Sequence, residues 1–144
     1  MAHSAILQNF NGCDIFCAVN SNELIPVKCV DVYDGDTVKL AFHIHNNASF
    51  PIGVFNCRLN GIDTPEIKTK NTLEKEAGYK AREYVRNECL GKCLWAKIQN
   101  GDKYGRLLVE IFTTPVISEC TSVNQKLIEL GYAKKYDGGT KEKF

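Results

Sequence analysis

The stretch Val32–Leu40, VYDGDTVKL, decides the fold because it places an Asp-Gly pair between two runs rich in β-branched and aromatic residues. The runs cover Ile25–Tyr33 and Thr37–Ile44, and a short Asp-Gly link between such runs is typical of a β-hairpin with a tight turn. A third run of this kind, Gly53–Ile62, stops before Pro65, which cannot donate a hydrogen bond to a sheet. The sequence therefore predicts three successive strands.

Helical spacing replaces the strand pattern farther along the chain. Apolar residues recur at helical spacing within 72–90, and Asn71 with Glu74 has the pattern of a capping box. Gly91 follows as a C-terminal stop. The remaining predicted elements are two strands, near Cys93–Ile98 and Arg106–Thr113, and a second helix over Val123–Leu130 with Ser122 and Gln125 as its capping box. This order of elements indicates an α+β fold, a small five-stranded barrel with two helices beside it.

The composition is that of one globular domain. The chain has 144 residues, of which 44% are hydrophobic and 24% charged. Residues 1–22 are expected to form a short N-terminal extension packed on a domain that covers 23–144. No apolar run approaches the roughly 18–20 residues that cross a bilayer, so no membrane association is expected. The N-terminus lacks the basic region of a signal peptide, and the seven cysteines are expected to be mostly buried and reduced, which favours an intracellular protein. The sequence does not predict the oligomeric state.

The charged residues are unevenly distributed, although the net charge is only +1. Two Lys or Arg and five Asp or Glu precede Arg58, whereas sixteen and twelve follow from that residue onward. Such a division fits a site that gathers carboxylates and faces them with cations, and it fits a chance clustering of surface charge equally well. The net charge by itself does not indicate a nucleic-acid-binding protein, so contacts with phosphates would have to come from a local basic face.

Three polar motifs lie at the ends of predicted strands: VYDGDTVKL at 32–40, CRLNGIDTPE at 57–66 and DKYGRLL at 102–108. Each motif alone is compatible with an ordinary turn, and 34–45 lacks the alternating acidic residues of an EF-hand loop. In this order, and with these elements between them, the motifs resemble the staphylococcal thermonuclease family over roughly residues 25–136. The resemblance implies an OB-type barrel and calcium-dependent hydrolysis of DNA and RNA to 3′-phosphate and 5′-hydroxyl ends.

The resemblance also implies a calcium site. Its ligands would be the carboxylates of Asp36 and Asp63 and the backbone carbonyl of Thr64, with Asp34 as an acidic residue behind them. Oxygen donors of this kind suit calcium, a hard cation that takes six to eight ligands. Because the protein supplies only a few of these, places remain for water and for a phosphate oxygen.

For catalysis, the resemblance implies that Glu66 is the general base for the attacking water and that Arg58 and Arg106 hold the scissile phosphate. A carboxylate can accept the proton of water, and two guanidiniums can stabilise the charge that attack adds to the phosphoryl oxygens. The residues implied to bind the rest of the substrate are Lys103 and Tyr104, beside a neighbouring phosphate, and Tyr136 or alternatively Tyr132, stacked on a base.

A second interpretation is a non-catalytic nucleic-acid or protein-binding module on the same OB-type scaffold. Binding-only versions can lose several of the residues that carry the chemistry, whereas all five are present in this chain. The sequence therefore favours the nuclease, whose partners would be DNA and RNA. The five discriminating residues are Asp36, Arg58, Asp63, Glu66 and Arg106.

Overall fold

The computed structural model describes residues 21–44, 47–99, 101, 105–115 and 121–136 of the chain. The strands in this part are β1 (Ser21–Asp34), β2 (Thr37–His43), β3 (Ile52–Leu59), β4 (Ile62–Asp63), β5 (Cys93–Gln99), β6 (Leu107–Phe112) and β7 (Lys134–Lys135), and the helices are α1 (Thr72–Cys89) and α2 (Val123–Glu129). Five strands form a closed barrel in the spatial order β1-β2-β3-β6-β5, and β4 pairs with β7 in a separate two-stranded sheet. The predicted α+β barrel with two flanking helices is confirmed.

The barrel closes because β1 is long enough to pair with two neighbours. Its second half runs antiparallel to β2, and its first half runs antiparallel to β5. The pairing shifts register between Cys29 and Asp31 and again between Val32 and Asp34. Such irregularities bend a strand and increase its twist, which lets one strand serve both sides of a small barrel.

Buried and exposed residues alternate along the strands, so that one face of each strand forms the core and the other the outer face of the barrel. In β2, Val38, Leu40 and Phe42 are buried, whereas Lys39 between them is exposed. Helix α1 covers the barrel with Ala81, Val85 and Cys89, which recur at helical spacing and are all buried. Outward-facing side chains near the strand ends therefore remain available for a site.

Two boundaries differ from the sequence prediction by more than one residue. Strand β1 begins at Ser21 rather than at Ile25. The third predicted strand does not continue to Ile62: β3 ends at Leu59, and the chain turns through Gly61, whose φ is +80°, before β4 begins. A positive φ is readily adopted by glycine and breaks the ladder at this position. Most of the predicted N-terminal extension lies outside the described residues.

The first helix begins as predicted, but its capping box is only half formed. The side chain of Asn71 accepts a hydrogen bond from the backbone N–H of Glu74 at 3.1 Å, as an N-cap should. The Glu74 carboxylate does not return the bond to Asn71; its oxygens instead accept from the Glu66 backbone N–H at 3.4 Å and from the Thr69 hydroxyl at 3.5 Å. Glu74 therefore holds the loop that precedes the helix.

The thiols of Cys29, Cys57 and Cys89 are free and buried, as expected, while that of Cys93 is free and exposed. Burial raises the pKa of Cys29 to about 11 and that of Cys89 to about 12, so neither thiol is reactive near neutral pH. In the described part of the chain, no helix is both long and apolar enough to cross a membrane.

Candidate active site

Strand register brings residues from all three motifs to one end of the barrel. Thr37 at the start of β2 pairs directly with Arg58 on β3. Strand β3 runs parallel to β6 with Cys57 opposite Leu107, so that Arg106 lies immediately before the paired segment of β6. The backbone carbonyl of Asp36 also accepts a hydrogen bond from the N–H of Leu59 at 2.8 Å. The residues of the first and second motifs are therefore fixed to each other through the backbone.

Arg58 is the centre of the cluster and is only 7% exposed. Its Nη1 donates to the carbonyls of Leu59 at 3.1 Å and of Ile62 at 2.8 Å. Its Nη2 faces two carboxylates, Asp63 at 3.4 Å and Asp36 at 3.6 Å. The guanidinium thus fixes the turn that joins β3 to β4 and compensates two buried negative charges at the same time.

Besides facing Arg58, the carboxylate of Asp36 accepts hydrogen bonds from two neighbouring groups. Its Oδ1 accepts from the hydroxyl of Thr37 at 3.1 Å, and its Oδ2 accepts from the backbone N–H of Thr64 at 3.2 Å. Burial acts to raise the pKa of Asp36. The opposing effects are larger together and lower that pKa: they are a hydrogen bond shared with Asp34, the charge of Arg58 and the hydrogen bonds from Thr64 and Thr37. Asp36 is therefore ionised at neutral pH.

The pKa of Asp34 is shifted in the opposite direction. Burial, followed by the negative charge of Asp36, raises the pKa of Asp34 to about 7. Its Oδ1 accepts the backbone N–H of Asp36 at 3.1 Å, which closes the tight turn between β1 and β2. Two neighbouring carboxylates with separated pKa values leave the charge concentrated on Asp36, the residue that faces Arg58.

Two glycines allow the elements around the site to approach closely. A Cβ on Gly35 would lie 2.8 Å from the Cβ of Ala81 and 2.9 Å from Cγ2 of Thr64, so the turn is packed tightly between α1 and the second residue of the DTPE segment. A Cβ on Gly78 would lie 2.8 Å from the carbonyl oxygen of Pro65. Helix α1 therefore rests directly on the loop that carries Glu66.

Glu66 lies on that loop and is exposed. Among the described residues its carboxylate makes no hydrogen bond or ion pair, while its backbone is held by Glu74. It lines a cleft of about 310 Å³ together with Asp34 and residues of α1. The structure thus places Glu66 beside the acidic turn but outside the buried cluster.

Arg106 and Tyr136 join the cluster at its edge. Nη1 of the half-buried Arg106 donates to the hydroxyl of Thr37 at 3.4 Å, and that hydroxyl donates to Asp36. The ring of Tyr136 lies 5.3 Å from the guanidinium carbon of Arg58, and its backbone N–H donates to the carbonyl of Gly61 at 2.9 Å. Both side chains are therefore in contact with members of the buried cluster.

The other residues implied to bind substrate are placed differently. Tyr132 packs against Tyr84 of α1, with ring centroids 5.5 Å apart, and so lies against the core rather than against Arg58. Of the two alternative tyrosines, Tyr136 is thus the one that the fold brings to the cluster. Lys103 and Tyr104 lie outside the described residues.

The donor chemistry of the cluster suits calcium. Asp36 and Asp63 present carboxylates to a common nitrogen of Arg58, and the backbone N–H of Thr64 donates to Asp36, which places Thr64 beside them. In the described part of the chain, no three His, Cys, Asp or Glu side chains form a group that could hold a metal ion by themselves. A cation here would need backbone, water and phosphate oxygens besides the two carboxylates. Calcium accepts such a mixed set of oxygen ligands, and the places filled by water and phosphate leave room for a substrate.

Asn124 is a supporting residue that the sequence interpretation missed. Its side-chain amide donates to the carbonyls of Asn60 at 2.9 Å and Val109 at 3.0 Å, and its oxygen accepts the N–H of Ile111 at 3.1 Å. It therefore attaches α2 both to β6 and to the turn after Leu59. A single buried amide in the first turn of a helix carries no sequence pattern that would have revealed this role.

The fold and the cluster together define a class of protein: small OB-type barrels that present carboxylates and arginines at the ends of their strands. The chain belongs to the family of staphylococcal nuclease homologues, whose family model matches residues 56–143. It is also similar to an uncharacterized protein of Methanocaldococcus jannaschii, at 33% identity over 138 residues; the match covers 82% of this chain and 62% of that protein's length. Membership of this family indicates a nuclease-like or nucleic-acid-binding function.

Proposed function

We propose that this protein is a calcium-dependent nuclease that hydrolyses phosphodiester bonds of DNA and RNA. The observation that supports this best is the buried cluster in which Nη2 of Arg58 faces Asp63 at 3.4 Å and Asp36 at 3.6 Å. Two carboxylates that converge on one guanidinium form a site suited to a cation and a phosphate together. A purely structural barrel would have no need of this arrangement, because burying charges costs free energy that apolar side chains avoid.

The roles proposed for the individual side chains are those that the resemblance to the family implies. Asp36, Asp63 and the carbonyl of Thr64 would hold calcium, which when bound supplies positive charge beside the phosphate. Arg58 and Arg106 would donate hydrogen bonds to the phosphoryl oxygens as charge develops on them. Since both are connected to Asp36, directly or through Thr37, their positions are set before the substrate binds.

Glu66 is proposed as the general base. Its carboxylate is exposed, has no partner among the described residues and lies beside the acidic turn. In the reaction, Glu66 would accept a proton from the attacking water, the new bond from water oxygen to phosphorus would form, and the bond to the 5′ oxygen would break. The products would be a 3′-phosphate and, after the leaving oxygen takes up a proton, a 5′-hydroxyl.

A non-catalytic nucleic-acid-binding module is the second candidate, and one observation favours it. Nη1 of Arg58 is fully occupied by the carbonyls of Leu59 and Ile62, and its Nη2 already has two carboxylate neighbours. An arginine engaged in this way can serve the fold alone. Under this alternative the protein would bind oligonucleotides and cleave none of them.

A cleavage assay separates the two candidates. Single-stranded DNA and RNA are incubated with calcium, with magnesium and with chelator, and the ends of the products are identified. The nuclease should cleave both polymers with calcium, poorly with magnesium, whose strict octahedral geometry suits a site of few fixed ligands badly, and not at all in chelator. Binding without cleavage under every condition would establish the module instead.

The variant Glu66→Gln tests the proposed base, with Glu76→Gln as a matched control that removes the same charge from an exposed position of α1. Loss of general-base catalysis should lower the single-turnover rate by about 10²–10⁴-fold in Glu66→Gln, with unchanged melting temperature and oligonucleotide affinity. The control should cleave as the wild type does. Equal rates in both variants would remove Glu66 from the mechanism.

A further inference from the structure

The cleft beside the site contains cations that the chemistry at Arg58 and Arg106 does not use. It has a volume of about 310 Å³ and lies between the end of β1, the loop at 66–68 and α1. Both Asp34 and Glu66 line it, so it opens directly onto the acidic part of the site. Its charged lining consists of the cations Lys68, Arg82 and Arg86 and the carboxylates Asp31, Asp34 and Glu66.

Arg82 is the least satisfied of these cations. Its guanidinium lies over the ring of Tyr79, 4.7 Å from the centroid, and its Nε is buried with no hydrogen-bond partner. A buried donor without a partner is costly, and because Nε is closed to solvent, a ligand in the cleft would have to use Nη1 and Nη2. Within the described residues the guanidinium of Arg82 makes no hydrogen bond. The contact with Tyr79 restricts the positions that the guanidinium can take.

The other two cations are also left without a carboxylate partner. Arg86 follows Arg82 by four residues on α1, and neighbours at this spacing lie on one helix face. Its Nη2 donates to the carbonyl of Val32 at 3.3 Å, which uses one of five donors. Lys68 lies over the ring of Tyr33, 5.7 Å from its centroid. Within the described residues none of the three cations forms an ion pair.

The carboxylates of β1 are directed at backbone groups instead. Asp31 accepts the N–H of Val32 at 3.0 Å, and Asp34 accepts the N–H of Asp36 at 3.1 Å. Both carboxylates are therefore engaged by backbone groups, whereas on α1 Arg86 uses one of its donors and Arg82 uses none within the described residues. The cleft can therefore receive an anion on the side formed by α1, where the arginines lie.

We propose that this cleft binds a phosphate of the nucleic-acid strand adjacent to the one that is cleaved, with Arg82 as its principal donor and Lys68 as a second. The inference rests on the proposed function, because the cleft adjoins the site through Asp34 and Glu66. Tyr33 is 55% exposed at the rim of the cleft and offers an aromatic face on which any base can stack. The protein thus holds a strand on both sides of Glu66 and prefers polymers to single phosphodiesters.

The test compares a dinucleotide, which has a single phosphodiester, with a single strand of about ten nucleotides, a length within the usual range of OB-type sites. The variants are Arg82→Gln and Lys68→Gln, and Lys80→Gln is the matched control, since it removes one charge from the exposed face of the same helix. Affinity for the longer strand is measured in chelator, and cleavage of the dinucleotide is measured with calcium.

In Arg82→Gln, the dissociation constant of the longer strand should rise about tenfold or more, as expected for one lost charge-assisted hydrogen bond. The slope of log affinity against log salt should become shallower by about 0.7, corresponding to one phosphate on a single strand. Lys68→Gln should show a smaller effect in the same direction. Dinucleotide cleavage and the melting temperature should stay as in the wild type, and Lys80→Gln should change none of these quantities.

Three results would overturn the inference. The first is an unchanged dissociation constant in both cleft variants, and the second is an equal loss in Lys80→Gln, which would indicate general electrostatic attraction. The third is an equal loss on the dinucleotide, which would place Arg82 in support of the cleaved phosphate. A wild-type protein that binds the longer strand but cleaves neither substrate would refute the nuclease proposal alone, because the affinity measurements still decide on the cleft.

Discussion

Replacing Arg58 and Arg106 separately by lysine distinguishes the role of each arginine in the fold from its role in the chemistry. Arg58 is 7% exposed and donates from Nη1 to two backbone carbonyls, at 3.1 Å and 2.8 Å, while Nη2 faces two carboxylates. A lysine has one nitrogen, which can stay near the carboxylates or near the carbonyls but cannot reach both. Arg106 is half-buried, so water can replace the contacts that its guanidinium loses.

The magnitude follows from these contacts. Hydrogen bonds that involve a charged group contribute about 1.5–3 kcal/mol each, and Arg58→Lys loses two of them to carbonyls in a buried turn. With partial relaxation, the free energy of unfolding should fall by about 2–3 kcal/mol, which lowers the melting temperature by about 4–12 °C in a chain of this size. Arg106→Lys should lose about 1 kcal/mol or less, because Arg106 is only half-buried and water can replace the contacts of its guanidinium.

Thermal melts and urea unfolding, followed by circular dichroism in chelator, measure the stability, and single-turnover cleavage measures the chemistry. Both variants should cleave about 10²–10³-fold more slowly, since each loses a planar donor for the phosphate. Arg58→Lys should also show a clearly larger fall in melting temperature than Arg106→Lys. A wild-type melting temperature in Arg58→Lys, or equal destabilisation of both variants, would refute the reasoning from burial and bonding.

Two further predictions concern residues that position the site. In Gly78→Ala, alanine favours the helix by about 1 kcal/mol, but its Cβ would lie 2.8 Å from the carbonyl oxygen of Pro65. Because the two effects on stability oppose each other, the melting temperature should change little, while displacement of the loop that carries Glu66 should slow cleavage. Cleavage at the wild-type rate would show that this contact is not needed to place Glu66. In Asn124→Ala, three hydrogen bonds are lost, including the one accepted from the buried N–H of Ile111, and urea unfolding should report a loss of about 3 kcal/mol. A loss below about 1 kcal/mol would mean that water replaces the amide.

Features that depend on neighbouring residues were predictable from the sequence. The tight turn between Asp34 and Thr37 and the N-cap at Asn71 both appear where the local pattern placed them. Hydrophobic periodicity and capping act within a few residues, so a single chain carries their full signal. The sequence also identified the acidic and basic residues that the structure brings together, because they stand at strand ends in three separate motifs.

Tertiary structure decided the features that join residues distant in the chain. The parallel register of β3 with β6 places Arg106 beside the Thr37–Arg58 pair, and no local pattern specifies that register. In the sequence, Gly35 is a turn glycine; in the fold, it is needed because Ala81 and Thr64 approach to within 3 Å of where a Cβ would lie. Glu74, expected only as a capping partner, holds the Glu66 loop instead.

The first hairpin turn and the N-caps at Asn71 and Ser122 were therefore determined by the sequence alone, since each depends on interactions that span only a few positions. The cleft that contains Arg82 was determined by packing, because it exists only where α1 lies against the end of β1 and the loop at 66–68. Arg82 has an ordinary place on an amphipathic helix, and nothing in its neighbourhood along the chain distinguishes it from Lys80. Its place in the cleft arises from the distances between elements, and those distances are set by the side chains of the whole barrel.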